Sequence, residues 1–542
     1  MEKLKQSEYL PIFLLIGIFI LCIPFFWLHQ GLLTIDTGRE LYIPSRMLSG
    51  ELLYKDILNI YGAFAYQLNA VLFGIFGERL ETLYSFGLVN SLIIVLSVFF
   101  ISREFFDKTV SFLFALLTIA IPVFTPYLFN TNLPYSYCFA YSLSAFLLSL
   151  LFLIKFEKTK EIKFSLFSSF FIGISIASKL EFSLFILVIA FILIQNKLTI
   201  KQLGINFLSF LLIPVISYGI LLIQGVKISD FILTLGLIKS LCASDSFRIF
   251  YQSGLTLKSF IIRIFSAFAL SLAFLVLFLR NKIKQEKKWI SILLNTVCVL
   301  ILSGIFLLFW KFIYASLPVL ILILTIIFFK KTDKSALILL SAIILGSFKL
   351  MFYLNIEQFG SFLLPLYALG IAVFMKEKRS LIIIALTSLI LVFGFDDCYW
   401  RQEKTFYLET PKGNFYTFKK EGLPIHKLIM FAKENLKKED RMLILPEGAF
   451  VNFALSQPSS SKLYSLIPLY VSMIGEDKIT EELKKDNPKY IVITSLDTIE
   501  FGASTFCRDY ALEVCKYIDN NYTYTASIDE TSYKMNIYER KE

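Results

Sequence analysis

Apolar runs of about twenty residues recur along the first three quarters of this sequence, each long enough to cross the roughly 30 Å hydrocarbon layer of a bilayer as a helix. They begin near residues 9, 82, 109, 137, 163, 182, 203, 260, 289, 312, 335, 362 and 380. Backbone polar groups in lipid must be satisfied within their own segment, so such runs are read as helices. The expectation is an α-helical polytopic membrane protein with about 11–14 transmembrane helices. Composition agrees, since 56% of the 542 residues are hydrophobic and only 18% are charged, too few for a chain whose whole surface meets water. The first run follows Lys3 and Lys5, reaches Leu28 and lacks a small-residue cleavage pattern, so it reads as a retained span.

The segments between the runs alternate in charge. Lys3 and Lys5, Arg103 and Lys108, Lys155 to Lys163, Lys197 and Lys201, Arg280 to Lys288, Lys330 to Lys334 and Lys376 to Arg379 form one basic set. The positive-inside rule makes that set cytoplasmic. The other set faces outward: residues 30–80, 122–136, 178–181, 224–259, 352–361 and everything after about 395. The expected location is therefore the cytoplasmic (inner) membrane, with the N-terminus cytoplasmic and the C-terminal domain extracytoplasmic. The net charge of +11 sits in these turns and not in a basic stripe interleaved with aromatics, which argues against a nucleic-acid partner.

Two regions follow, a transmembrane domain at 1–395 and an extracytoplasmic α/β domain at 396–542. In the second, Leu443–Pro446 and Tyr490–Thr494 read as strands, Tyr522–Tyr538 as a closing strand pair, and Ile425–Lys437, Ile479–Lys485 and Asp509–Asn520 as helices. Seven cysteines without a CxxC pair, and only His29 and His426, argue against a Cys/His zinc site. Cys507 and Cys515 stand eight apart in an expected helix, about 12 Å by rise, so they are not expected to bridge each other. Cys398 is the candidate partner for one of them.

Chemistry concentrates in the first outward stretch. It reads Thr34-Ile-Asp36-Thr-Gly38-Arg39-Glu40-Leu-Tyr42, then Ser49-Gly50-Glu51-Leu-Leu-Tyr54-Lys55-Asp56, then Tyr61-Gly62-Ala63-Phe64-Ala65-Tyr66. A carboxylate such as Asp36, just past a span, can take a proton from a hydroxyl or hold a divalent cation against a phosphate. Arg39, one turn on, offers a fork of donors to phosphate oxygens. Singly, the two residues equally suit a helix cap and a solvated ion pair. Lys179 and Glu181, at the outer ends of adjacent spans, suit either mutual pairing or a cavity. Arg248, Tyr251, Lys311, Glu357 and Gln358 read as solvated turn residues, and His29 as structural. No GxxxxGK[ST] or GxGxxG is present, so no nucleotide cofactor is expected.

As a whole, the 34–77 pattern resembles the first periplasmic loop of the GT-C polyprenyl-phosphate glycosyltransferases, which include the protein O-mannosyltransferases, the aminoarabinose transferases and the lipopolysaccharide-core branch. Gly173 to Glu181 (GISIASKLE) resembles the family's Gly-rich span ending in Lys. Pro446-Glu447-Gly448, Asn452-Phe453 and Asn521-Tyr522 are similar to the outer domain of bacterial members. Where many relatives have Tyr-Gly-Pro, this chain has Tyr61-Gly62-Ala63. The resemblance implies a GT-C fold and an inverting glycosyltransferase with Asp36 catalytic. Arg39, Glu40, Tyr54, Asp56, Tyr61, Lys179 and Glu181 would be substrate-binding. It implies a polyprenyl-phosphate sugar donor, a glycan, lipid or protein acceptor, and a divalent cation as an optional cofactor. The rivals are a transporter or lipid flippase, which would carry ionisable residues at mid-membrane, and a non-catalytic glycan-binding protein.

Overall fold

The computed structural model describes residues 9–126, 129–283, 287–352, 361–437, 439–457 and 462–542. Lys3, Lys5, Glu357 and Gln358 lie outside them. Among the described residues six helices are long and apolar enough to cross a membrane: Leu80–Arg103, Tyr137–Thr159, Ile200–Ile223, Leu257–Lys282, the first half of Lys288–Phe328, and Arg379–Glu403. Seven shorter apolar helical segments among the described residues, including Leu10–Phe26, Phe64–Phe76 and Ile162–Ser178, pack with them.

Two departures from the sequence reading have local causes. The runs expected to start separately near 289 and 312 are one continuous helix, Lys288–Phe328, of 41 residues. At about 1.5 Å per residue it is roughly 60 Å long, twice a hydrocarbon layer. Phe309-Trp310-Lys311-Phe312 contains no Gly, Pro or capping residue that would end it, so Lys311 stands inside a helix and not in a turn. Likewise, the stretch 30–80 is not an open loop. It contains the helices Asp36–Leu48 and Phe64–Phe76, the second presenting Ala65, Tyr66, Asn69 and Phe73 to the core at helical spacing.

The helices Tyr137–Thr159 and Ile162–Ser178 form a hairpin closed at Lys160, whose φ of +61° turns the chain. Small residues let the pair approach: Ser142 Oγ bonds Ser175, and Ser149 Oγ bonds Ser168. On the far face, a Cβ on Gly173 would lie 2.2 Å from the Phe210 carbonyl oxygen, so the helix Ile200–Ile223 packs backbone to backbone there. Below the site, Gln30 ties three segments together. Its amide donates to the Val123 carbonyl (2.6 Å), while its Oε1 accepts from Asn132 Nδ2 and from the Tyr84 hydroxyl, both at 2.7 Å. Such a buried network is stable because every member has a partner.

After Glu403 the chain forms the hairpin β1 (Phe406–Leu408) with β2 (Phe415–Thr417). The helix Lys419–Asn435 follows, then a four-stranded sheet in the order β3 (Met442–Leu445), β4 (Tyr490–Thr494), β6 (Met535–Arg540), β5 (Tyr522–Ile528). β3 and β4 run parallel and the other pairs antiparallel. The expected strands and helices are present, and the β1–β2 hairpin is additional. The disulfide expectation is overturned: Cys507 and Cys515 bridge each other with Cα atoms 5.4 Å apart, and Cys398 is a free thiol. The helix starts only at Leu512, and φ is positive at Cys507 (+69°) and Ala511 (+59°), so the intervening residues fold back instead of rising along an axis.

Candidate active site

The C-terminal domain meets the helical body along several segments, Leu80 N–H donating to the Lys412 carbonyl and Tyr416 N–H to the Leu28 carbonyl, both at 2.9 Å, and it packs tightly at Gly38. A Cβ on Gly38 would lie 2.7 Å from the Phe450 backbone nitrogen and 2.9 Å from the Leu33 carbonyl oxygen, so only glycine allows the segment after β3 to sit on the helix Asp36–Leu48. That docking places Glu447 against a cavity of about 1290 Å³. Asp36, Arg39, Tyr61, Lys179 and Glu181 line it from the helical body, together with Tyr54. Six of these are residues singled out in the sequence, from four separate stretches of chain.

Asp36 opens its helix, where a carboxylate suits the positive end of the helix dipole. Its Oδ1 accepts from Arg39 Nη1, while Arg39 Nη2 donates to the Tyr135 carbonyl (2.7 Å) and Nε to Glu40 (3.1 Å). The guanidinium is buried beside the Tyr61 ring, 5.6 Å from its centroid. Glu40 does not line the cavity. It lies fully buried behind Arg39, accepting from the Tyr66 hydroxyl (2.8 Å) and from the Tyr137 backbone N–H (2.6 Å) at the start of the helix Tyr137–Thr159. Its work is to hold the arginine.

Lys179 follows the last turn of the helix Ile162–Ser178. Its ammonium donates to the Tyr135 hydroxyl (2.9 Å), lies 4.8 Å from the centroids of Tyr61 and Tyr135, and pairs with Glu181 at 3.4 Å. Glu181 also accepts from Lys349 at 2.7 Å. Burial pushes the Glu181 carboxyl up, but Lys179 and Lys349 outweigh it and hold it at about 2. The mutual pairing of Lys179 and Glu181 is thus present, and it occurs inside the cavity wall.

Tyr54 donates its hydroxyl to the Tyr61 carbonyl (2.6 Å) and fixes that turn. Asp56 stays outside the cavity, because its carboxylate closes its own turn by accepting from the Leu52 N–H (2.9 Å). Tyr251, read from sequence as a solvated residue, instead lines the cavity beneath Lys349, 5.0 Å from its ring centroid. His29 is structural as expected. Its Nδ1 pairs with the Trp27 carbonyl (2.7 Å), its ring stacks on Tyr416, and burial lowers it to about 4.

Residues that sequence reading did not assign to the site come from the C-terminal domain: Glu447, Tyr470, Asp497 and Glu500 line the same cavity. Only the Pro-Glu-Gly triplet around Glu447 drew notice in the sequence, and without a role. Burial, then the Asp36 charge, pushes Glu447 up to about 8; burial, then Asp36 and Asp497, pushes Glu500 to about 7. Among the described residues no group of three His, Cys, Asp or Glu side chains converges as a cation's ligands must, and the Asp36 oxygen is engaged by Arg39.

The remaining wall is apolar, formed largely by the helix Ile228–Ala243 with Phe231, Leu235 and Ile238. Cations and carboxylates thus face an oily wall at the end of the helical body. Residues 63–220 match the family model described as dolichyl-phosphate-mannose-protein mannosyltransferase. No curated protein sequence matches the chain. Its fold is that of the apo oligosaccharyltransferase of Archaeoglobus fulgidus, with a TM-score of 0.50, 12% identity, and coverage of 99% of this chain and 75% of that one. ArnT from Cupriavidus metallidurans bound to undecaprenyl phosphate aligns with a TM-score of 0.46 and 12% identity over 98% of both chains. The chain spans 64% of the A. fulgidus oligosaccharyltransferase in its complex with Zn and sulfate, at 13% identity and a TM-score of 0.46. The family match and the shared fold bear out the resemblance to the GT-C polyprenyl-phosphate glycosyltransferases.

Proposed function

We propose that this protein transfers a sugar from a polyprenyl-phosphate donor to a glycan, lipid or protein acceptor at the outer face of the cytoplasmic membrane. The observation that carries this reading is the cavity itself, in which Arg39, Lys179 and Lys349 stand beside Asp36 against an apolar helix. A lipid-linked sugar phosphate needs those three surfaces: cations for the phosphate, a carboxylate for the acceptor, and an oily wall for the first prenyl units. The matched family's description names a dolichyl-phosphate sugar donor, which has the same chemistry.

On this reading, the acceptor oxygen forms a bond to the anomeric carbon as its proton passes to Asp36. The bond from that carbon to the phosphate oxygen breaks, and its electron pair leaves with the polyprenyl phosphate. Arg39 and Lys179 offset the charge that collects on the departing phosphate. A single displacement inverts the anomeric carbon. Tyr54 and Tyr61 shape the sugar-facing wall, Glu181 keeps its two lysines charged, and Glu40 and Asp56 act by positioning. Residues 1–395 form the transmembrane unit and 396–542 the extracytoplasmic one, with the N-terminus cytoplasmic, in keeping with the charge alternation of the loops.

The test is sugar transfer from a radiolabelled panel of polyprenyl-phosphate hexoses and pentoses by the purified protein in bilayers, wild type against Asp36→Asn. Transfer by the wild type, lost in the folded variant, supports the assignment. Equal transfer by both removes Asp36 from the mechanism. No transfer from any donor, with an acceptor pool present, would favour the transporter.

A further inference from the structure

Glu447 is an unusual group for its place. Its residue is 5% exposed, it faces the cavity, and among the described residues its carboxyl makes no hydrogen bond or ion pair. The nearby Arg39 is already engaged by Asp36, Glu40 and the Tyr135 carbonyl. The charged groups and phenols facing Glu447 are Asp36 and Arg39 on the helix Asp36–Leu48, Glu500 on the turn Ile499–Phe501, Tyr470, Tyr510 and Tyr533. Two are carboxyls and three are neutral phenols, so nothing beyond the shared Arg39 favours a charge on Glu447. Burial, then Asp36, pushes the Glu447 carboxyl up. The Gly38 contact holds it there, seating its segment on the helix that carries Asp36.

We propose that Glu447 is a substrate-binding residue of this site: its carboxyl O–H, facing the cavity, donates a hydrogen bond to an oxygen of the transferred sugar or of the acceptor. This rests on the glycosyltransferase reading above. The two carboxyls then divide the work. Asp36, paired with Arg39, is the one that takes a proton. Glu447, without a cation of its own, is the neutral one that gives a hydrogen bond. It also gives the C-terminal domain a direct part in the site, since closing that domain on the helical body is what brings the donor into the cavity.

The sign of the pH dependence follows. Glu447 is neutral below about 8, so turnover should fall as pH rises through about 8 and the donor is lost. Glu447→Gln keeps a donor of the same size that does not titrate. It should lose the alkaline fall and retain more turnover at pH 7 than Glu447→Ala, which should lose about 10–100-fold. A rise in KM for the lipid donor alone would assign the bond to the transferred sugar, and a rise for the acceptor alone to the acceptor. An inactive but folded Glu447→Gln, or an alkaline fall that survives in it, overturns the proposal. Infrared difference spectra separate this from failure of the glycosyltransferase reading, because they need no substrate. Wild type minus Glu447→Gln should show a protonated carboxyl band at pH 7 that titrates near 8, and Asp36→Asn should move that titration to lower pH. Absence of the band means Glu447 is ionised and the proposal is wrong, whatever the enzyme transfers.

Discussion

Gly62→Ala should separate the positioning of the site from its chemistry. Gly62 sits where the turn carrying Tyr61 crosses the end of the helix Ile162–Ser178, its N–H donating to the Ser178 carbonyl at 3.0 Å. An added Cβ would stand 2.1 Å from the Ala177 carbonyl oxygen and 2.7 Å from that of Ser178, against an ordinary contact limit of 3.4 Å. Both neighbours are backbone, so no side chain can swing away, and the two segments must part by about 1.3 Å. They carry Tyr61 on one side and Lys179 on the other, which are now held with the ammonium 4.8 Å from the ring centroid. A misplacement of about 1 Å in a reacting array costs on the order of 100-fold in rate, and overpacking costs about 1–3 kcal/mol of stability. The assay is sugar transfer with thermal unfolding in the same bilayer preparation. Gly204→Ala serves as the control, because a Cβ there meets nothing within 4 Å. Wild-type turnover and an unchanged unfolding midpoint in Gly62→Ala would refute the claim that this crossing sets the site.

Three further outcomes are expected. Glu40→Gln removes the charge behind Arg39 and leaves an amide facing donors, so unfolding should come about 3–5 kcal/mol earlier; a loss below about 1 kcal/mol would show that Glu40 is not the arginine's anchor. Alkylation of the denatured, unreduced chain should label five cysteines and reduction should release two more, Cys507 and Cys515; seven labels before reduction would contradict the bridge. His29 is held at about 4 against an ordinary 6.5, so the unfolded chain binds the extra proton between those values and stability falls as pH drops from about 6.5 to about 4. His29→Gln should flatten that part of a pH series of unfolding midpoints, and an unaltered slope would place the titrating group elsewhere.

The sequence by itself determined the material of the protein and part of its site. Apolar runs longer than a bilayer is thick have one stable form, so the helical membrane body was legible, as were the sheet strands of the C-terminal domain, where apolar runs of four to seven residues alternate with amphipathic helices. The density of charge after the first span marked Asp36 and Arg39, while the position of Lys179 at a span end left mutual pairing and a cavity both open. Only the tertiary structure decided what those residues face. The single helix Lys288–Phe328 shows that run length cannot locate a break when no residue supplies one. Two backbone turns with positive φ, at Cys507 and Ala511, reversed the cysteine pairing, because spacing measures distance only along an assumed helix. Glu447 stands some 400 residues from Asp36 in sequence, and no local pattern reveals that a missing side chain at Gly38 lets its segment dock beside that acid. Burial and the charge of a neighbour set what a carboxyl does, and both are properties of the packed chain.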